Sequence, residues 1–149
     1  MVKVFVTGGT GYIGSRLIRT LQADGHTISA LSRRSGTDLD KVGVHVIQGT
    51  LKDLDVISAA AADADAVMHL GFETDIARFG ECCEQDLAVI ECISKALAGS
   101  GKLFATTSGI AVLGDTGDAL ADESSPTVPH PRLASEAATL AVSNYSSCC

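Results

Sequence analysis

Residues 7–14 read Thr-Gly-Gly-Thr-Gly-Tyr-Ile-Gly, between a short apolar run at residues 2–7 and a helical pattern at residues 12–23. Three glycines in TGxxGxxG spacing at a strand-to-helix turn constrain the backbone more than anything else in the chain. Gly8 lets the chain turn sharply off the strand. Gly11 leaves its backbone open to a pyrophosphate, and Gly14 lets the helix pack close to the strand. The start of the helix then offers unpaired N–H groups and the positive end of its dipole to the phosphates.

Beyond this turn, Val- and Ile-rich runs alternate with segments of helical period. Strands are expected at residues 2–7, 27–31, 44–47, 66–70 and 103–107, and helices at 12–23, 54–62, 84–98 and 133–142. The apolar faces expected are Ile13, Leu17, Ile18 and Leu21 on the first helix and Leu54, Ile57 and Ala61 on the second. On the long helix they are Leu87, Ile90, Ile93 and Leu97. Asp53 reads as the start of the second helix. Strands alternating with helices imply an α/β fold. Right-handed crossovers make it a Rossmann-type doubly wound parallel sheet of about five strands, ordered 3-2-1-4-5. The 149 residues suit one domain, expected to span residues 1–142, with an irregular tail at 143–149.

Hydrophobic residues make up 46% and charged residues 19%, a globular balance. The net charge of −7, without a basic cluster, argues against nucleic acid or an anionic membrane as partner. The first apolar run is too short for a signal peptide, and no stretch is long enough to span a membrane. The five cysteines, Cys82, Cys83, Cys92, Cys148 and Cys149, include no CxxC spacing and no adjacent His cluster. They read as reduced thiols of a cytoplasmic protein.

The end of the second strand bears on which dinucleotide fits. NAD-selective folds place an Asp or Glu there to hold the adenosine ribose. Here the chain reads Leu31-Ser32-Arg33-Arg34, and a hydroxyl with two guanidinium groups suits a 2′-phosphate, so NADP is expected over NAD.

With these segments in view, the sequence resembles the extended and atypical branch of the short-chain dehydrogenase/reductase superfamily, the NAD-dependent epimerase/dehydratase family. TGGTGYIG is similar to its phosphate turn. Residues 49–53, Gly-Thr-Leu-Lys-Asp, resemble its GDLxD segment beside the adenine, with Thr50 in place of the usual Asp. Residues 66–71 resemble its DxVxHLA strand on the nicotinamide side, and residues 104–109 its fifth-strand end with the family Ser/Thr. The resemblance implies cofactor contacts from Thr7, Gly8, Gly11, Tyr12, Ile13 and Gly14, from Leu51, from Leu70 and Gly71, and from Thr107. It implies hydride transfer at a carbonyl or sugar-like carbon of a small-molecule substrate. It also implies that the family's substrate-binding portion lies beyond this chain, as if the chain were truncated or alternatively spliced.

The family's YxxSK helix start is Arg132-Leu133-Ala134-Ser135-Glu136 in this sequence. Arg132 stands where the acid/base Tyr would be and Glu136 where the Lys would be. Arginine stays protonated and is a poor general acid at neutral pH. Ser108, Arg132 and Glu136 are therefore the catalytic candidates. The alternative is a non-catalytic NADP(H)-binding module or an inactive truncated relative. His69 reads as a satisfied core residue and His130 as a surface residue among Pro126, Pro129 and Pro131. Asp115, Asp118, Asp122 and Glu123 read as a solvated acidic loop, not a metal site. With no sixth strand in the sequence, the edge of the fifth strand is expected to invite self-association.

Overall fold

The computed structural model describes residues 1–35, 38–122 and 124–142. The tail at 143–149, with Cys148 and Cys149, and Glu123 of the acidic loop lie outside the described residues. Five strands form one parallel sheet in the order β3-β2-β1-β4-β5: β1 Lys3–Thr7, β2 Thr27–Ser32, β3 His45–Gln48, β4 Ala66–His69 and β5 Leu103–Thr106. The helices are α1 Tyr12–Ala23, α2 Asp38–Lys41, α3 Leu54–Asp63, α4 Phe79–Leu97 and α5 Leu133–Val142. Both the order and the parallel sense match the sequence expectation.

Side chains of β1 alternate between two cores, because successive residues of a strand point to opposite faces. Phe5 joins Leu31, Ile57, Val67, Val89 and Ile93 under α3 and α4. Val4 and Val6 join Ile18, Ile28, Ala30, Leu39 and Val44 under α1 and α2. A strand buried on both faces reads as the continuous apolar run seen at the N-terminus.

Several expectations are corrected. Ile13 is 59% exposed, because the buried face of α1 runs through Gly14 and Ile18. The long helix begins five residues earlier than the apolar period suggests, at Phe79 instead of Glu84. Its buried stripe is Cys82, Cys83, Asp86, Val89, Ile90, Ile93 and Leu97, with Leu87 only half-buried. The short helix α2 was not expected: Leu39 alone anchors it in the core, too little pattern to register in the sequence. Single-turn 3₁₀ helices at Ile76–Arg78 and Ile110–Leu113 also went unseen, since both lie in loops. Strand β5 pairs with β4 and forms an edge of the sheet, with Leu103 54% exposed.

Candidate functional site

The C-terminal ends of β1, β2 and β4 meet at the glycine turn, where ligands of doubly wound sheets bind. Gly8 has φ of +71°, and a Cβ there would lie 2.7 Å from the backbone of Leu70 and Gly71. A Cβ on Gly14 would lie 2.3 Å from the Gly8 carbonyl oxygen. These two glycines are required by the fold itself. Gly11 is different: a Cβ there would meet only the Gly8 oxygen, at 3.2 Å, and otherwise open space. It is the N-cap of α1, in extended conformation, and makes no side-chain cap. The turn closes through Gly11 N–H to Gly8 C=O at 3.0 Å.

Above the turn lies a cleft of about 630 Å³ lined by Gly8, Thr10, Leu31, Ser32, Arg33, Arg34, Gly49, Thr50, Leu51, Gly71, Glu73 and Thr74. Six of the expected cofactor residues are gathered here: Gly8, Ser32, Arg33, Arg34, Leu51 and Gly71. Arg33 and Arg34 are exposed, and neither makes an ion pair among the described residues. The Ser32 hydroxyl is engaged locally, donating to the Arg34 carbonyl at 2.8 Å. Thr50 commits its hydroxyl to Asp53 at 2.8 Å, and its backbone N–H donates to the same carboxylate at 2.7 Å. Those two bonds hold the Asp53 pKa below its ordinary value. Glu73 is an acid in the cleft that the sequence reading did not assign. It comes from the loop after β4, which carries no periodic signal.

The remaining cofactor candidates sit around the cleft without lining it. Tyr12 and Ile13 are exposed at the start of α1, with the Arg16 guanidinium 5.3 Å from the Tyr12 ring centroid. Leu70 donates its N–H to Thr7 C=O at 3.2 Å, and Thr107 donates its own to His69 C=O at 3.2 Å. Thr7 is fully buried.

The three catalytic candidates separate. Ser108 and Glu136 both line a second, mostly apolar cavity of about 660 Å³ beside β5, with Ala105, Ile110, Val112, Leu113 and Leu140. Arg132 lines neither cavity and is taken up by neighbours. Its guanidinium stacks over Phe72 at 4.2 Å, and one terminal nitrogen donates to Asp86 Oδ2 at 3.3 Å and to Thr107 C=O at 3.0 Å.

Asp86, which the sequence reading missed, joins this arginine to His69. His69 Nε2 lies 3.2 Å from Asp86 Oδ1, and His69 Nδ1 lies 2.6 Å from the Thr7 hydroxyl. A carboxylate only accepts, so its partners assign the proton to Nε2, and Nδ1 accepts from Thr7. The Thr7 oxygen accepts in turn from Gly71 N–H at 3.1 Å. His69 is thus the satisfied core residue expected. Burial would raise the Asp86 pKa. The hydrogen bond from His69, the neighbouring Ser135 hydroxyl and the charge of Arg132 outweigh it, and the pKa is lowered. Among the described residues, the Ser135 oxygen and Arg132 Nε are buried without a hydrogen bond of good geometry. A signal for Asp86 does exist in the sequence: it falls at helical spacing within the stripe Cys82–Asp86–Val89/Ile90–Ile93, where a carboxylate needs partners. His130 is half-buried, edge-on to Phe79 at 5.8 Å, where a surface position was expected. Cys82 and Cys83 are buried and Cys92 is half-buried, all three free. Burial pushes the Cys83 thiol pKa up, which suits packing and not reactivity. No helix among the described residues is long and apolar enough to cross a membrane.

Comparison with known proteins agrees with this geometry. An uncharacterized Schizosaccharomyces pombe protein is 37% identical over 142 residues, covering 93% of this chain and 48% of that protein. The 2-alkyl-3-oxoalkanoate reductase of Stenotrophomonas maltophilia is 40% identical over 70 residues, 47% of this chain and 21% of the reductase. A Bordetella bronchiseptica enzyme solved in complex with NAD and UDP superimposes with a TM-score of 0.78 at 21% identity, over 93% of this chain and 49% of its own. The chain therefore spans about half the length of such relatives or less. The profile of the NAD dependent epimerase/dehydratase family matches residues 4–134, and the chain belongs to that family.

Proposed function

We propose that the cleft binds NADP(H), and that the chain is the cofactor-binding part of an oxidoreductase acting by hydride transfer at a carbonyl or sugar-like carbon of a small molecule. The observation that carries this is the basic end of the cleft: Arg33 and Arg34 line the same cavity as Gly8 and Gly71, at the end of a strand that supplies no carboxylate. The residues fit the dinucleotide. Gly11 leaves the space a pyrophosphate needs, and two exposed guanidinium groups without ionic partners among the described residues suit a 2′-phosphate. The bound nicotinamide would supply or take the hydride. A substrate carbonyl would sit toward the second cavity, where the Ser108 hydroxyl can donate to its oxygen. Glu136 lines that cavity without a cation's ability to lower a neighbour's pKa.

A second reading, a non-catalytic NADP(H)-binding module, is favoured by Arg132. It stands in the place of the family's acid/base and is held by Asp86 and Thr107. Calorimetric titration with NADPH and NADH, followed by turnover on a panel of carbonyl compounds, separates the two. Arg33→Ala with Arg34→Ala should weaken NADPH by about 1.5–3 kcal/mol and leave NADH nearly unchanged. Equal affinity of the unaltered chain for both dinucleotides would refute the NADP assignment.

A further inference from the structure

Four residues around the cleft form a closed circuit of contacts. His69 Nε2 meets Asp86 Oδ1 at 3.2 Å, Asp86 Oδ2 meets Arg132 at 3.3 Å, Arg132 donates to Thr107 C=O at 3.0 Å, and Thr107 N–H returns to His69 C=O at 3.2 Å. The circuit joins the C-terminal ends of β4 and β5 to the N-terminal half of α4 and the head of α5. One branch leaves it: His69 Nδ1 holds the Thr7 hydroxyl, which holds the amide of Gly71. Gly71 lines the cleft and packs against Gly8, whose Cβ position it already fills.

Resting on the dinucleotide reading of the cleft, we propose that His69 and Asp86 are positioning residues for the cofactor, which set the Gly71 amide through the Thr7 hydroxyl, and that Arg132 is the charge that closes their circuit. The chemistry requires each member in one state. Ionised Asp86 accepts from Nε2–H, so Nδ1 is left as an acceptor. The Thr7 O–H must then point at the ring, which leaves its oxygen lone pairs for Gly71. Thr7, His69 and Asp86 are each at most 2% exposed, so water does not substitute for a lost partner. A polar chain this buried does little for packing that apolar residues would not do as well. Its effect falls on orientation.

The test uses Thr7→Val, which keeps the shape and removes the hydroxyl, and Thr7→Ser, which keeps the hydroxyl and removes one methyl group; neither changes the charge. Titrations with NADPH and NADH should show both dinucleotides weakened about tenfold in Thr7→Val and restored to within about threefold in Thr7→Ser. NADPH and NADH should respond alike, since the Gly71 amide lies away from the 2′-phosphate end. Unchanged affinity in Thr7→Val, or equal losses in both variants, overturns the proposal. Binding of both dinucleotides with equal affinity by the unaltered chain would sink the NADP assignment and leave this one standing. Binding of neither would remove both. Should Thr7→Val fail to fold, nitrogen-15 spectra of the unaltered chain decide. The proton is expected on His69 Nε2, with Nδ1 and the Gly71 amide shifting when NADPH is added. A proton on Nδ1, or no shift, overturns the proposal.

Discussion

Replacing Arg132 by Met keeps much of the side-chain length and removes the charge. The loss can be worked out from its surroundings. Asp86 is 2% exposed and the Arg132 side chain 13% exposed, so the pair is out of bulk water. Stripping the partner from a buried carboxylate typically costs about 3–5 kcal/mol. The hydrogen bond to Thr107 and the stacking on Phe72 add about 1 kcal/mol each. These terms overlap, and a loss near 4–5 kcal/mol is expected, a large share of the roughly 5–15 kcal/mol that stabilises an ordinary domain. Urea unfolding of the unaltered chain and the variant measures it. Arg78→Met is the control: Arg78 pairs with Asp75 at the surface, 55% and 40% exposed, and its loss should barely move the midpoint. The pH dependence has a definite sign. The folded pKa of Asp86 is lowered from 3.8, so its contribution to stability is present above the unfolded value and fades as pH falls through the folded one. Without Arg132 the burial penalty is less opposed and the folded pKa moves up. The gap between variant and unaltered chain should then narrow on acidification, as the variant's carboxyl takes up a proton. A loss under about 1 kcal/mol, or a gap that widens in acid, would refute the account of Arg132 as a buried counter-charge. Arg132→Tyr should lose stability for the same reason, so restoring the family's Tyr alone does not rebuild a working acid/base.

The glycines of the turn should respond differently. Gly14→Ala places a Cβ 2.3 Å from the Gly8 oxygen and should prevent folding, visible as a lost thermal transition. Gly11→Val meets only the Gly8 oxygen, at 3.2 Å, and should still fold with a modestly lowered melting temperature yet bind no dinucleotide, as thermal melts and calorimetry would record. At the β5 edge of the sheet, where no further strand pairs among the described residues and Leu103 is exposed, copies of this chain should associate. Sedimentation should show species above monomer, and a monodisperse monomer at high concentration would count against that edge.

The strand order, the parallel sheet and the strand-to-helix glycine turn were legible in the sequence, because each rests on local periodicity and on what a glycine permits. Residues 4, 5 and 6 alternate faces in any strand, and Gly8, Gly11 and Gly14 can be assigned roles from spacing alone. The basic end of β2 was legible for the same reason: Arg33 and Arg34 follow the strand directly. What adjoins the site across the fold was not. Asp86 lies 17 residues from His69 and 46 from Arg132. No local pattern says that a carboxylate on α4 will meet the head of α5. Glu73 entered the cleft from a loop, and Ser108 and Glu136 came to share a cavity apart from Arg132, although Arg132 and Glu136 are near in sequence. The start of α5 decided that: Arg132 stands just before the helix, off the face that carries Glu136, and the Thr107 carbonyl just past β5, with Asp86, holds its guanidinium. Local chemistry determined where the glycine turn and the two arginines after β2 stand. The packing of α4 and α5 against the strand ends decided which titratable groups were buried together, since burial makes an unpaired charge too costly to leave alone.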